Sequence, residues 1–365
     1  MEFIVLDRDF NPVTLIDEYT SAIWTERYKE AGDFELVLPA SSEYLSDIQG
    51  EYYLSLADSD YLMMIENIGI RTSEEDGTRE VVVSGRSLEA LLERRIVWAP
   101  STFTEQVQDA VYRVLNENVL NPSNSARKIR AFSFQRIQND PVINNSDFTV
   151  NAQFDGTTVY EAVKNLCETY NIGFRVRLSL TNRFVFSLYY GVNRTISQFD
   201  RDAVVFSSEF DNLVSSEYLQ SFKTLKNLVL VAGETKNDSQ LRLPVYAVET
   251  EPSDLNRREI YVSASDVKSS YQDENGNETN LTTEEYTRLL QFKGLQTLAE
   301  NQVTETLDGS VENHMGPVYG EDFQIGDFVT IQNDYGVNAV AQVTEYIRSY
   351  NEEGYSEYPA FTMVS

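Results

Sequence analysis

The stretch Ile65-Glu66-Asn67-Ile68-Gly69-Ile70-Arg71, the turn Glu75-Asp76-Gly77 and the run Arg79-Glu80-Val81-Val82-Val83-Ser84 read together as a β-hairpin. Two runs rich in β-branched residues flank a glycine able to take the positive φ of a tight turn. Toward the N-terminus the same texture repeats. Phe3 to Asp7, Val13 to Ile16, Ser21 to Glu26, Asp33 to Leu38, Tyr52 to Leu56 and Leu62 to Ile70 are short apolar or alternating runs separated by turn residues, which predicts strands of a small barrel or sandwich. After Gly85 the apolar residues Leu88, Leu91 and Leu92 fall on one helical face, so a short helix is expected before Arg94-Arg95-Ile96 returns to strand.

From residue 101 the periodicity changes. Val107, Ala110, Val111, Val114 and Leu115 lie on one helical stripe with Thr104 as the expected cap. Val159, Ala162, Val163, Leu166, Cys167 and Tyr170 form a second stripe, closed by Ile172-Gly173. Phe174 to Leu180 and Arg183 to Tyr190 then alternate around Thr181-Asn182, the pattern of a two-residue hairpin. Strands are expected at Val204 to Phe206, Leu228 to Ala232, Leu243 to Glu249 and Ile260 to Val262. A capping box from Thr282 to Glu285 opens a helix over about 283–305 that buries Leu289, Leu290, Leu295 and Leu298, with Gly294 tolerated at a cost. Phe328 to Gln332, Ala339 to Ile347 and Phe361 to Val364 complete the strands.

At 365 residues the chain exceeds a single core, because cores stop growing near ~250–300 residues. The expected fold is mainly β with an α+β insertion: two small β-barrel domains plus an inserted α/β domain. Residues 1–100 with about 201–235 make the first barrel, 101–200 the insertion, and 236–365 the second barrel. No segment approaches the ~20 apolar residues of a membrane span. The N-terminal Met1-Glu2-Phe3-Ile4-Val5-Leu6-Asp7 lacks the basic region of a signal peptide, so synthesis in a cytoplasm is expected. The single cysteine, Cys167, cannot form an intrachain disulfide.

The 29 basic and 58 acidic residues leave a formal charge of −29. A general nucleic-acid binder needs cations to displace counterions from phosphates, so that class is excluded. The acids keep a β-rich surface soluble and discourage edge pairing; a sharper reading places some of them along a passage for DNA.

Catalytic chemistry finds little purchase. The sole histidine is His314, with no second histidine and no cysteine pair for a zinc site. Asp273, Asn275, Asn277 and Glu284 match oxygens of a calcium loop, yet Glu278 stands where that loop needs glycine. Glu321-Asp322 and Glu352-Glu353 sit beside turn glycines without the apolar wall that separates paired pKa values. Gly85-Arg86-Ser87 lacks the rest of a phosphate loop. No catalytic residue, cofactor or metal is assigned, and the chain is expected not to be an enzyme.

Several stretches taken together resemble the hub proteins at the distal end of long-tailed phage particles, related to the N-terminal part of tail-associated lysins and to baseplate hubs of contractile phages. Trp24-Thr25-Glu26-Arg27-Tyr28-Lys29-Glu30-Ala31-Gly32-Asp33-Phe34-Glu35-Leu36-Val37-Leu38-Pro39 is similar to that family's strand–turn–strand. Val83-Ser84-Gly85-Arg86-Ser87-Leu88 through Leu91-Leu92-Glu93-Arg94-Arg95-Ile96 resembles its strand, glycine and short helix. Gly191-Val192-Asn193-Arg194-Thr195, Phe206 to Asn212, Lys226-Asn227-Leu228-Val229-Leu230-Val231-Ala232-Gly233 and Tyr319-Gly320-Glu321-Asp322-Phe323-Gln324-Ile325-Gly326-Asp327-Phe328-Val329 extend the likeness over nearly the whole chain.

The resemblance implies a tail-hub fold and a homotrimer whose six barrels match a six-fold tail tube. It implies a place in the virion at the tail tip, a passage for DNA that is not specifically bound, and no membrane insertion by this chain. The implied partners are the distal tail protein, the tail tube protein, the C-terminus of the tape measure protein and a receptor-binding or tail fibre protein. Wall-cleaving or receptor-binding extensions found in such families are expected on other proteins. Interface or lumen residues are sought first in two acidic loops, at Glu74, Glu75 and Asp76 and at Asp273, Glu274 and Glu278, which read equally as solvated hairpin tips. Two other classes compete. An all-β carbohydrate-binding or adhesin module of the tail tip would present exposed aromatics from the 22 tyrosines, though tyrosine is also a preferred strand residue. A wall glycosidase or peptidase would need a paired acid and nucleophile that no stretch supplies.

Overall fold

The computed structural model describes residues 1–40, 43–72, 79–145, 149–210, 212, 215–236, 238–272, 277–310, 316–332 and 338–364. It separates the chain into two compact units. Met1–Ala90, Gly173–Tyr218 and Thr306–Ser365 form one, and Leu91–Ile172 with Leu219–Glu305 the other. This division differs from the expected one. The hairpin of strands Gly173–Leu178 and Phe184–Tyr189 belongs with the N-terminal strands, and residues 219–305, expected to split between the two barrels, join the helical insertion.

The mainly β character follows from the alternating runs. Among the described residues thirteen strands make one sheet in the first unit. From one edge the order is Pro12–Ile16, Phe3–Leu6, Tyr53–Leu56, Leu62–Thr72, Arg79–Ser87, Asp33–Pro39, Ser21–Arg27, Asn338–Asn351, Gly354–Met363, Thr304–Ser310 and Ser215–Ser221. Phe328–Gln332 pairs with Asn338–Asn351 and, in parallel, with Val205–Ser207. The opening hairpin holds, with Ile70 opposite Val81; its turn, 73–78, lies outside the described residues.

Among the described residues the N-terminal and C-terminal strands are continuous with one another in a single sheet. The 14-residue strand Asn338–Asn351 changes partner along its length. Its first part pairs with Phe328–Gln332, from Asn338 to Gln342. A bulge between Val343 and Glu345 follows, and from Glu345 to Tyr350 it pairs with Ser21–Arg27. A bulge bends a strand and raises its twist, which allows one strand to serve two cores. One core gathers Phe3, Trp24, Phe34, Leu38 and Met63; the other gathers Tyr28, Phe206, Phe323, Val343 and Phe361.

In the second unit helices α1 (Val107–Leu115) and α2 (Val159–Thr169) bury the predicted stripes, with Cys167 in the core, except that Tyr170 lies at the C-cap of α2 and is only partly buried. Thr158 caps α2 through a hydrogen bond from the Glu161 amide. Thr104 caps nothing: Gln106 holds the N-cap position of α1, with no side-chain cap. Strand Ser101–Phe103, paired with Ala152–Phe154, and the bridge of Gln106 to Thr149 keep the chain extended up to that point. The hairpin loop expected at Thr181-Asn182 has three residues, since the Ser179 amide donates to the Arg183 carbonyl and Asn182 takes φ +53°. Asn tolerates that left-handed conformation best after glycine.

Helix α3 (Thr283–Ala299) starts on the predicted capping box. It covers the sheet of Leu228–Lys236, Ser239–Tyr246 and Glu259–Ser263, burying Leu289, Leu290 and Leu298 against Val229, Val231 and Val245. Leu295 is 47% exposed, contrary to expectation. Gly294 takes the contact face instead: a Cβ there would come within 2.7 Å of Val245 Cγ2. Its absent side chain lets helix and sheet approach.

Candidate functional site

Of the six acidic residues predicted for the two loops, Glu278 lies among the described residues. Glu74, Glu75, Asp76, Asp273 and Glu274 lie outside the described residues, as do His314 and Asn275. Glu278 is exposed and opens the strand Glu278–Asn280, opposite Gln272. Among the described residues no group of His, Cys, Asp or Glu is placed to hold a metal ion.

The first unit builds a polar centre around the buried carboxylate of Glu26. Ala22, Trp24 and Glu26 occupy alternate positions of Ser21–Arg27 and are all buried. Period-two geometry thus puts a carboxylate on an apolar face. Burying an unpaired carboxylate costs several kcal/mol, and four donors answer it. Arg348 Nη1 and the Tyr319 hydroxyl donate at 2.7 Å, the Ser59 hydroxyl at 2.5 Å and Trp24 Nε1 at 3.3 Å. Arg348 and Glu26 side chains are 6% and 2% exposed. Arg348 Nη2 also donates to the Asp58 carbonyl, and its guanidinium lies 4.8 Å from the Tyr346 ring centre, where Tyr346 stacks on Tyr319 at 3.8 Å. The sequence signal was the alternation itself: Trp24 with Glu26, and Tyr346 with Arg348, share faces.

Beside this ion pair opens a cavity of about 410 Å³, lined among others by Glu26, Tyr61, Arg175, Arg177, Tyr189 and Arg348. Burial pushes the phenols of Tyr61 and Tyr189 well above the ordinary range, and burial with the Glu26 charge does the same for Tyr319. These phenols are neutral donors, unsuited to act as bases at neutral pH. The cavity combines cations, phenols and carboxylates, groups that can hold an anion or brace neighbouring strands through charged hydrogen bonds.

Two stretches that carried the family resemblance meet nearby. Asp327 accepts from the Val192 amide at 2.7 Å, from Arg194 Nε at 2.8 Å and from the Gln324 amide at 3.1 Å. One buried carboxylate therefore fastens Gly191–Thr195 to the Tyr319–Val329 stretch.

Glu89 makes a similar brace. It accepts from the Val176 amide at 2.6 Å and from the Ser87 hydroxyl. Burial raises its pKa above the ordinary 4.5, with the Ser87 and Val176 hydrogen bonds pulling the other way. With the folded value above the unfolded one, the folded chain binds more protons between the two, and stability falls as pH rises through that window. Glu89→Gln keeps an acceptor for Val176 and a donor for Ser87. It is expected to flatten the loss of stability that sets in as pH rises above the ordinary carboxylate range in urea melts; an unchanged slope would exclude Glu89 as its source.

Comparison with known proteins fits this architecture. The 43 kDa tail protein of prophage MuSo2 from Shewanella oneidensis has a TM-score of 0.58 at 12% identity, covering 100% of this chain and 98% of its own. A tail protein from Neisseria meningitidis MC58 has a TM-score of 0.52 at 12% identity, with 100% and 96% covered. Prophage tail protein gp18 from Listeria monocytogenes EGD-e gives 0.52 at 14% identity, with 100% and 94% covered. No curated protein matches the sequence. The fold is thus that of phage tail proteins, and with residues 2–360 matching the family model, the chain belongs to the family of Siphovirus ReqiPepy6 Gp37-like proteins.

Proposed function

We propose that this chain is a structural component of a long-tailed phage virion, a homotrimeric hub at the distal end of the tail. The observation that carries the reading is the family match over residues 2–360, joined to a fold shared end to end with phage tail proteins. In this role the hub continues or closes the tail tube, links it to distal tail and receptor-binding proteins, and leaves an exit for DNA. The charge supports that passage: three chains at −29 each carry −87, and acids along a lumen repel a duplex with one charge per ~1.7 Å of axis. The braces described above suit a part that carries load, since each ties distant segments through buried charge.

Light scattering on a gel-filtration column at moderate salt tests the assembly. The expected mass is three chains of 41.7 kDa each. A monomer at every concentration would overturn a self-assembling trimer, because a closed ring needs large interfaces.

A further inference from the structure

Arg175 and Arg177 stand two residues apart on Gly173–Leu178, so both side chains leave the same face of the strand. Both line the 410 Å³ cavity. The Arg175 guanidinium lies 5.8 Å from the ring centre of Tyr61 and 5.4 Å from that of Tyr189. Its Nε is buried and meets no acceptor among the described residues. Arg177 is held below the ordinary guanidinium range by burial and by the neighbouring Arg175 charge. Two like charges side by side in a partly dry space are unfavourable without an anion to share.

The carboxylates of the cavity do not fill that role. Glu26 is committed to Arg348, Tyr319, Ser59 and Trp24. The exposed Asp60 acts on both arginines through space, without a hydrogen bond to either. A guanidinium presents a planar fork that matches an oxyanion, and paired forks fix its orientation. We propose that Arg175 and Arg177 form a binding site for one compact oxyanion, a carboxylate or a phosphate, held between the Tyr61 and Tyr189 rings. Asp58 and Asp60 on the same lining repel an extended polyanion, so the ligand is a small molecule or a single acidic group.

Titration calorimetry and thermal melts of the full chain, with citrate and with inorganic phosphate at ionic strength matched by sodium chloride, test the site. Saturable binding of one anion per chain is expected, with a rise in melting temperature that sodium chloride does not reproduce. Arg177→Gln, at the less buried position, is expected to weaken binding about tenfold. Arg242→Gln, an exposed change in the other unit, leaves it unaltered. Response to citrate alone assigns a carboxylate and to phosphate alone a phosphate. Equal stabilisation by sodium chloride overturns the site without recourse to any variant, and so does unchanged affinity in Arg177→Gln.

Discussion

Arg348→Met is expected to destabilise the protein by about 3–5 kcal/mol, because it leaves the Glu26 carboxylate buried without its counter-charge. The remaining donors, Trp24, Ser59 and Tyr319, are neutral, so they leave the buried negative charge with no positive charge to balance it. The loss reaches beyond one contact. Glu26 and Arg348 sit on the paired strands Ser21–Arg27 and Asn338–Asn351, the ladder through which the N-terminal and C-terminal strands share a sheet. The double variant Glu26→Gln with Arg348→Met removes both charges and is expected to lie closer to the wild type than Arg348→Met alone. Urea melts of the wild type, the single variants Glu26→Gln and Arg348→Met, and the double variant decide this. A double variant as unstable as the sum of its single variants would mean that the two charges do not act as a pair.

The second large effect is expected at Gly85. A Cβ placed there would lie 1.7 Å from the Met64 carbonyl oxygen and 2.9 Å from its carbon, so Gly85→Ala forces backbone against backbone. Gly85 pairs with Ile65 just before the bulge between Ile65 and Asn67, where the neighbouring strand turns inward. Neither strand can give way without losing ladder hydrogen bonds, and a destabilisation of about 3 kcal/mol is expected. Gly69→Ala is the matched control: its nearest contact would be 3.9 Å, and a change within about 0.5 kcal/mol is expected. Similar losses at both positions would point to glycine's general place in strands rather than to this close approach.

The Gly85 result bears on how far the chain is legible without its structure. The stretch Val83-Ser84-Gly85-Arg86-Ser87 was recognisable as a family feature, and its strand and following short helix are as read, with Leu88, Leu91 and Leu92 buried. That glycine was needed because a neighbouring carbonyl crosses it could not be read locally. The same holds for Gly294, read as a tolerated weakness and found as the contact face of α3. Thr104 was misplaced as a cap because the pattern of a capping residue says nothing about a preceding strand holding the chain extended.

Elements and their buried faces follow from periodicity, since side chains repeat every two residues in a strand and about every 3.6 in a helix. Strands, the stripes of α1 and α2 and the Thr282–Glu285 capping box belong to this local class. Partner choice does not. Ser21–Arg27 meets Asn338–Asn351 more than 300 residues along the chain, a pairing set by loop closure, register and the bulge after Val343. That pairing brings Glu26 onto Arg348, and the return of Gly173–Leu178 to the N-terminal unit carries Arg175 and Arg177 to the cavity beside Tyr61. Local pattern placed each of these charges on a strand face; long-range packing gave the faces their neighbours, and with them the braces and the cavity.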